Sequence, residues 1–259
     1  MKDKLIAALH SPDFLQRVWH FALGTLLFHL PTPVRAKLFQ GTTFRCPICN
    51  SGLRSFPAIY REHMRWCPVC FSLQRHRLVW LFLHSPYVQI RSQPRRMLHL
   101  APEPGIATRL AALSNLSYIN ADMFDPSAML RLDLCNLGTC DNAFDLVYCS
   151  HVLEHVQSDL RALSEMRRVL RPGSHAIILV PITAAATFED PTLTDPAERE
   201  RLFGQHDHVR RYGPDFADRL RASGFEVTPL QSSAFATAEE ARMFGINPNE
   251  TIFWCHKPD

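Results

Sequence analysis

Short apolar runs alternate with stretches of helical apolar spacing from about Arg95 to the end of the chain. The clearest instance is Phe144 to Gly173, FDLVYCSHVLEHVQSDLRALSEMRRVLRPG. It predicts a buried strand from Phe144 to Cys149, a sharp polar turn at Ser150 and His151, and a long amphipathic helix. The helix is expected to end at Arg171-Pro172-Gly173, before a second apolar strand from Ala176 to Val180. A strand, a crossover helix and a parallel strand form one βαβ unit, and ligands of such sheets bind at the carboxyl ends of the strands. Ser150 and His151 lie at such an end.

The same pattern extends on both sides. Met97 to Ala101 reads as a first strand and Ile106 to Leu113 as a helix, followed by strands at Leu116 to Ala121 and Met129 to Leu134. Beyond Val180, a helix at Asp215 to Ala222 stops at Ser223-Gly224. Strands at Phe225 to Leu230 and Thr251 to Cys255 follow, and the connection between them (231–250) carries a short helix at Ala236 to Met243. These runs predict an α/β fold with a seven-stranded, mostly parallel sheet covered by helices on both faces. Three regions separate: a helical arm (1–40), a cysteine-rich module with its connecting helix (41–94), and the sheet domain (95–259).

The arm begins with Lys2 and Lys4, but its apolar run Leu5 to Leu9 is too short for a signal peptide. The stretch Phe14 to Leu30 is interrupted by Arg17, His20 and His29 and falls short of a membrane span. A helix packed on protein is the expectation. Eight cysteines without an export signal then point to a reducing, cytoplasmic setting, where metal ligation outranks disulfides.

Four of those cysteines form two C-x-x-C knuckles, Cys46-Pro47-Ile48-Cys49 and Cys67-Pro68-Val69-Cys70, separated by 17 residues. Each knuckle sets two thiolates on one side of a tight loop, and two knuckles complete a tetrahedron. A closed four-thiolate site is structural, since no position is left for water. Zinc is the expected ion, with rubredoxin-like iron the alternative. The helix Leu73 to Leu83 carries Gln74-Arg75-His76-Arg77, which could touch phosphates or form a solvated face. With 46% apolar residues, 20% charged residues and a net charge of +3, the composition is that of an ordinary globular protein and neither demands nor excludes a nucleic-acid partner.

Residues 95–259 resemble the class I S-adenosylmethionine-dependent methyltransferases, in particular the broad type 11-like group. Two motifs carry the resemblance: the FDLVYCSHVLEHV run, and Arg168-Val169-Leu170-Arg171-Pro172-Gly173-Ser174, where Ser174 replaces a final glycine. The resemblance implies a Rossmann-like fold, S-adenosyl-L-methionine as cofactor, and methyl transfer as the activity. It also implies a cofactor loop after the first strand. Here that loop is Leu98-His99-Leu100-Ala101-Pro102-Glu103-Pro104-Gly105, in which only the last glycine of the family pattern survives. Either the prolines build a stiffer loop of similar path with Glu103 at the cofactor's ammonium, or binding has been lost. The intact downstream segments favour the first. Asp122, 17 residues after Gly105, would accept from the ribose hydroxyls, Asp133 and Leu134 would flank the adenine, and Ser150 and His151 would close the pocket beneath the sulfonium.

His151-Val152-Leu153-Glu154-His155 also satisfies H-x-x-E-H, a metalloprotease signature. That motif needs both histidines on one helical face, whereas His151 is expected in a turn, and the methyltransferase resemblance covers the same residues without a metal. The substrate side is expected in the polar insertion 188–213, where His206 or His208 would act as base with Asp207 or Glu189 orienting it. A small-molecule acceptor methylated on oxygen or nitrogen is the leading expectation. The alternatives are an RNA methyltransferase that grips nucleic acid with its zinc module, and a methyltransferase-like binding protein without activity. An N-P-P-Y type motif and a Pro-Cys pair after the fourth strand are both missing, which weakens two base-directed chemistries.

Overall fold

The structure is a computed structural model that describes residues 24–59 and 61–259, with backbone alone for 59 and 61–64. Most of the arm, including the start of the Phe14 to Leu30 stretch, lies outside the described residues. Two compact units are present: one holds the chain up to Val88 together with Phe235–Pro248, the other Gln89–Ala234 with Asn249–Asp259.

In the first unit, a helical segment at 24–29 and α1 (Thr32–Phe39) lead into β1 (Gln40–Arg45), which pairs antiparallel with β2 (Gly52–Leu53). A second antiparallel pair, β3 (Ala58–Ile59) with β4 (Arg61–Arg65), precedes α2 (Gln74–His84). Two buried arginines brace the cysteine loops. Arg35 Nε donates to Pro68 O at 2.7 Å, and its guanidinium covers the Phe71 ring at 4.3 Å. Arg77 donates to Ser72 O at 2.7 Å, Phe244 O at 2.7 Å and Gly245 O at 2.6 Å, and lies 3.9 Å over Phe56. These bonds explain why 235–248 packs with the cysteine module. They also correct the reading of Gln74-Arg75-His76-Arg77 as a solvated or phosphate-touching face: His76 and Arg77 are buried, and the Arg77 donors are spent on carbonyls.

The second unit is the sheet. Its strands are β5 (Arg95–Leu100), β6 (Leu116–Asp122), β7 (Leu130–Arg131), β8 (Phe144–Ser150), β9 (Leu170–Leu179), β12 (Glu226–Leu230) and β13 (Ile252–His256). Between β9 and β12 lies the two-stranded pair β10 (Phe188–Glu189) and β11 (Arg210–Arg211). The seven strands run in the order β12-β13-β9-β8-β5-β6-β7. All neighbours are parallel except β13, which is antiparallel to both of its partners. This is the α/β, Rossmann-like arrangement of a seven-stranded, mostly parallel sheet that the sequence predicts. The helices of this unit are α3 (Pro104–Ala111), α4 (Asp159–Val169), α5 (Pro196–Phe203) and α6 (Phe216–Ala222), while α7 (Ala238–Met243) belongs to the first unit.

Helix α4 buries Ala162, Leu163, Met166 and Val169, the spacing of one helical face, in the core with Val147 of β8 and Ile178 of β9. Burial of Leu163, Met166 and Val169 contributes about 1.5–3 kcal/mol each. The long helix expected directly after His151 is shorter than its pattern: 151–158 is a chain of turns, and the helix starts only at Asp159. Asp159 anchors that start. Its buried carboxylate accepts from Arg219 at 2.9 and 3.0 Å and from the Tyr212 hydroxyl at 2.9 Å.

Arg171-Pro172-Gly173 is likewise not a turn between helix and strand but the opening of β9 itself. Gly173 takes φ 72°, its N–H donates to Lys257 O, and the register against β8 shifts between Phe144 and Leu146. The extra residues form a bulge that only a glycine at positive φ absorbs without strain. The third expected strand, Met129 to Leu134, is reduced to Leu130–Arg131.

Candidate active site

Strand order reverses between β5 and β8, where β6 and β7 continue to one side and β9 to the other. The crevice at the carboxyl ends of these strands is the topological switch point, the place where open α/β sheets bind ligands. Two residues there are held left-handed without being glycine. Ala101, after β5, has φ 51° and His151, after β8, has φ 55°. Their N–H groups are fixed by Ala121 O and Leu179 O, each at 2.9 Å. Such backbones cost on the order of 1–3 kcal/mol each and cluster at functional sites.

Glu103 caps the start of α3, and its carboxylate turns back toward the strands. It faces His99 Nε2 at 2.8 Å and accepts from the Tyr148 hydroxyl at 3.0 Å. His99 Nδ1 in turn meets the Tyr118 hydroxyl at 2.8 Å. The chain of His99, Tyr118, Tyr148 and Glu103 thus ties β5, β6 and β8 together under the loop that follows β5, and burial pushes the Tyr118 phenol well above its usual value. Apolar patterning missed His99, Tyr118 and Tyr148, since all three sit inside runs that read as plain strand. The one signal was a histidine inside an apolar run.

Asp122 ends β6, and its Oδ1 accepts from the N–H groups of Phe124 at 2.6 Å and Asp125 at 2.8 Å. Asp133 Oδ1 similarly accepts from the Cys135 N–H at 2.8 Å. Both acids therefore shape turns through one oxygen. Leu134 is buried within the sheet's core cluster, and Gly105 lies in the first turn of α3. Ser150 is buried at the end of β8, and its Oγ has no hydrogen-bond partner among the described residues. His151 Nε2 is 3.2 Å from Glu250 Oε1, and its Nδ1 is 3.5 Å from Glu154 Oε1.

The turns 151–158 bring a second group together with the insertion. His155 Nδ1 lies 3.1 Å from Asp207 Oδ2, and the His155 and His208 rings meet edge to face at 4.6 Å. The Val209 N–H donates to Glu154 O at 2.9 Å, which pins the insertion to the turn. Burial first, then the neighbouring His155, lowers the His208 imidazole below its usual value. Burial opposes ionisation of Glu154, yet its contact with His151 holds the carboxyl below the ordinary range. His206 is exposed and contributes no atom to this cluster, and Glu189 is engaged elsewhere, with Arg210 at 3.0 Å and with Arg219. A cavity of about 320 Å³ opens beside it, lined by Ser158, Glu189, Arg199, Arg210 and Arg219 among others. His151 and His155 both lie outside any helix, so the protease signature lacks its helical face.

In the first unit, Cys46, Cys49, Cys67 and Cys70 converge, each offering a sulfur within 4.8 Å of the others. Cys46 Sγ is 3.6 Å from Cys70 Sγ, and Cys49 Sγ is 3.7 Å from Cys67 Sγ, well beyond a disulfide bond. The two loops repeat one geometry. Asn50 and Phe71, each following the second cysteine, take φ 62° and 60°, and their N–H groups donate to Cys46 O and Cys67 O, both at 2.8 Å. The chemistry of this donor set suits a thiophilic ion.

Residues 106–178 match the family described as "Methyltransferase domain". That stretch of the chain is similar to methyltransferase domains. The match runs from the first turn of α3 into β9 and includes β6 and β8, while β5 and the loop that follows it lie outside it. Comparison with curated proteins finds no match.

Among solved structures, the chain is similar to an S-adenosylmethionine-dependent methyltransferase from Mesorhizobium loti. The identity is 18% and the TM-score 0.43, covering 69% of this chain and 97% of that one. It is also similar to the Burkholderia thailandensis 1,6-didemethyltoxoflavin-N1-methyltransferase, solved with bound 1,6-didemethyltoxoflavin and S-adenosylhomocysteine, at 15% identity and a TM-score of 0.44, over 69% of this chain and 76% of that one. A third is the Haemonchus contortus phosphoethanolamine N-methyltransferase 2, at 14% identity and a TM-score of 0.41, covering 64% of this chain and 50% of that one.

Proposed function

We propose that the protein transfers a methyl group from S-adenosyl-L-methionine to an oxygen or nitrogen of a small-molecule acceptor, with the cofactor in the crevice at the ends of β5, β6 and β8. The observation that carries this reading is the series of acids that follow successive strands, Glu103 after β5, Asp122 at the end of β6 and Asp133 after β7, together with the unpartnered Ser150 Oγ at the end of β8. These acceptors suit a cationic ligand with hydroxyl donors. Asp122 keeps a second carboxylate oxygen for ribose hydroxyls, Glu103 offers negative charge to an ammonium, and Asp133 with Leu134 flanks a planar base. Gly105, in the first turn of α3, lets that helix start close to the ligand, while Ser150 and His151 close the floor.

The cofactor supplies an activated methyl on a positively charged sulfur. The chain's own contribution is alignment, worth about 7–11 kcal/mol for a well-oriented pair. Where the accepting atom carries a proton, the His155–Asp207–His208 cluster stands ready to take it, with the lowered His208 neutral near pH 7. His206 sits exposed at the rim of that cluster.

The four cysteine sulfurs hold a structural zinc ion that stabilises the first unit. A small-molecule acceptor is preferred over RNA because the arginine expected to face phosphates, Arg77, is buried and saturated. Among the described residues, no helix is long and apolar enough to cross a membrane.

Titration of S-adenosylhomocysteine into the full chain tests the cofactor site. One site per chain is expected, and Asp122→Ala should weaken it by roughly tenfold or more, as loss of a hydrogen bond to a ligand costs about 1.4 kcal/mol or above. Folded protein that gives no binding would overturn the reading, as would unchanged affinity in the variant.

A further inference from the structure

The turns after β8 gather a donor set that methyl transfer alone does not explain. Glu154, His155 and His208 each offer one ligand atom, and these atoms lie within 4.8 Å of one another. Three features mark the group as built. Glu154 is only 1% exposed, and its Oε2 has no hydrogen-bond partner, an orphaned carboxylate oxygen inside the protein. Such an atom carries a desolvation cost of about 1–3 kcal/mol unless something meets it. Both imidazoles are also oriented through the same nitrogen. His155 Nδ1 faces Asp207 Oδ2 at 3.1 Å, and His208 Nδ1 faces the Phe203 carbonyl at 3.2 Å. An Nδ1–H donated to an oxygen fixes the tautomer with the lone pair on Nε2. Carboxylate and carbonyl partners of this kind are what hold metal-ligating histidines in place. The third feature is access: His155 is 33% and Asp207 48% exposed at the side chain, so an ion has a way in and a coordination position facing solvent.

We propose that Glu154, His155 and His208 bind a divalent transition-metal ion, with Asp207 as the residue that orients His155 and one coordination position left open. Two imidazoles and one carboxylate are the ligands of open zinc sites, and zinc fits them better than magnesium or calcium, which prefer oxygen alone. The site is distinct from the four-cysteine centre and differs from the H-x-x-E-H reading, since His208 from the insertion replaces His151. His151 is instead engaged between Glu154 and Glu250. The inference rests on the methyltransferase reading only for the ion's use. An ion at this place binds an acceptor hydroxyl and makes it acidic near neutral pH, so that His208 serves as a ligand instead of taking the proton itself.

The test is metal stoichiometry in the full chain, stripped by a chelator, reloaded with excess zinc, desalted and measured by mass spectrometry. Two zinc ions per chain are expected in the wild type and one in His155→Ala/His208→Ala, while Asp207→Asn keeps two but loses 10–100-fold in affinity for one of them in chelator competition. A wild type that holds one ion, or a double variant that still holds two, overturns the proposal. Should the double variant not fold, cobalt(II) titration of the wild type decides. The first equivalent gives the intense charge-transfer absorption of thiolate ligands. The second should add weaker visible bands without further thiolate absorption, and no spectral change on the second equivalent counts against the site. S-adenosylhomocysteine affinity, measured on the same samples, separates failure of the ion site from failure of the cofactor site.

Discussion

At the residue scale, protonation follows burial, and His175 gives a case that can be measured. Its ring stacks on Trp254 with centroids 4.2 Å apart and planes 9° apart. Burial first, then the charges of His256 and Arg95, push its imidazole down to about 4. The folded state therefore prefers His175 neutral, while the unfolded chain protonates it near 6.5. Stability from this group is complete above about pH 6.5 and is lost as the pH falls toward 4. Thermal denaturation from pH 8 to pH 4 should show a shallower acid-side loss in His175→Phe, which keeps the stack, than in the wild type. Parallel profiles would exclude the effect.

The same scale shows where single residues were readable. Ser150 and His151 follow a buried strand, so their place at its end was legible in the pattern alone. Glu103 was legible as an acid in the loop, but its partners were not. The bonds to His99 and Tyr148 join side chains 4 and 45 positions away, and the second has no local signal in the chain. Nor did the pattern show Glu154 and His155 meeting His208, because that contact depends on how the insertion folds back over the turn.

At the scale of elements, strands with a full apolar run survived almost unchanged, and those lacking one did not. Phe144 to Cys149 became β8 with one added residue, whereas Met129 to Leu134, broken by Arg131 and Asp133, kept only two. Residues 151–158 carried helical periodicity because Leu153 packs into the core from a turn, which pattern alone does not distinguish from a helix. The cysteine loops are the opposite case: spacing set their geometry, and the repeated positive φ at Asn50 and Phe71 follows from it.

The four sulfurs of those loops converge with no disulfide between them, so the proposed ion should carry much of their stability, and structural zinc sites contribute on the order of 10 kcal/mol or more. Cys67→Ser should abolish zinc retention at that centre and open residues 24–88 and 235–248 to limited proteolysis, leaving the sheet unit resistant. Protease resistance equal to that of the wild type would show that the module folds without the ion.

At the scale of the whole molecule, two units are stapled by different physics. The sheet relies on buried apolar strands and a paired charge network around Asp159, and the module on four converging cysteine sulfurs and two buried arginines. The chain passes three times between them, after Val88, after Ala234 and after Pro248, and the return to the first unit over 235–248 was not visible in the sequence. It is fixed by Arg77 reaching carbonyls 167 and 168 positions later. What does depend on one unit alone is the proposed cofactor crevice, lined by the loops after β5, β6, β7 and β8. Amide hydrogen exchange of the full chain, with and without S-adenosylhomocysteine, tests that placement directly. Protection should appear in the segments 101–105, 122–125, 133–136 and 150–151 and leave the cysteine loops unchanged; absence of protection there, or protection confined to other segments, would contradict it.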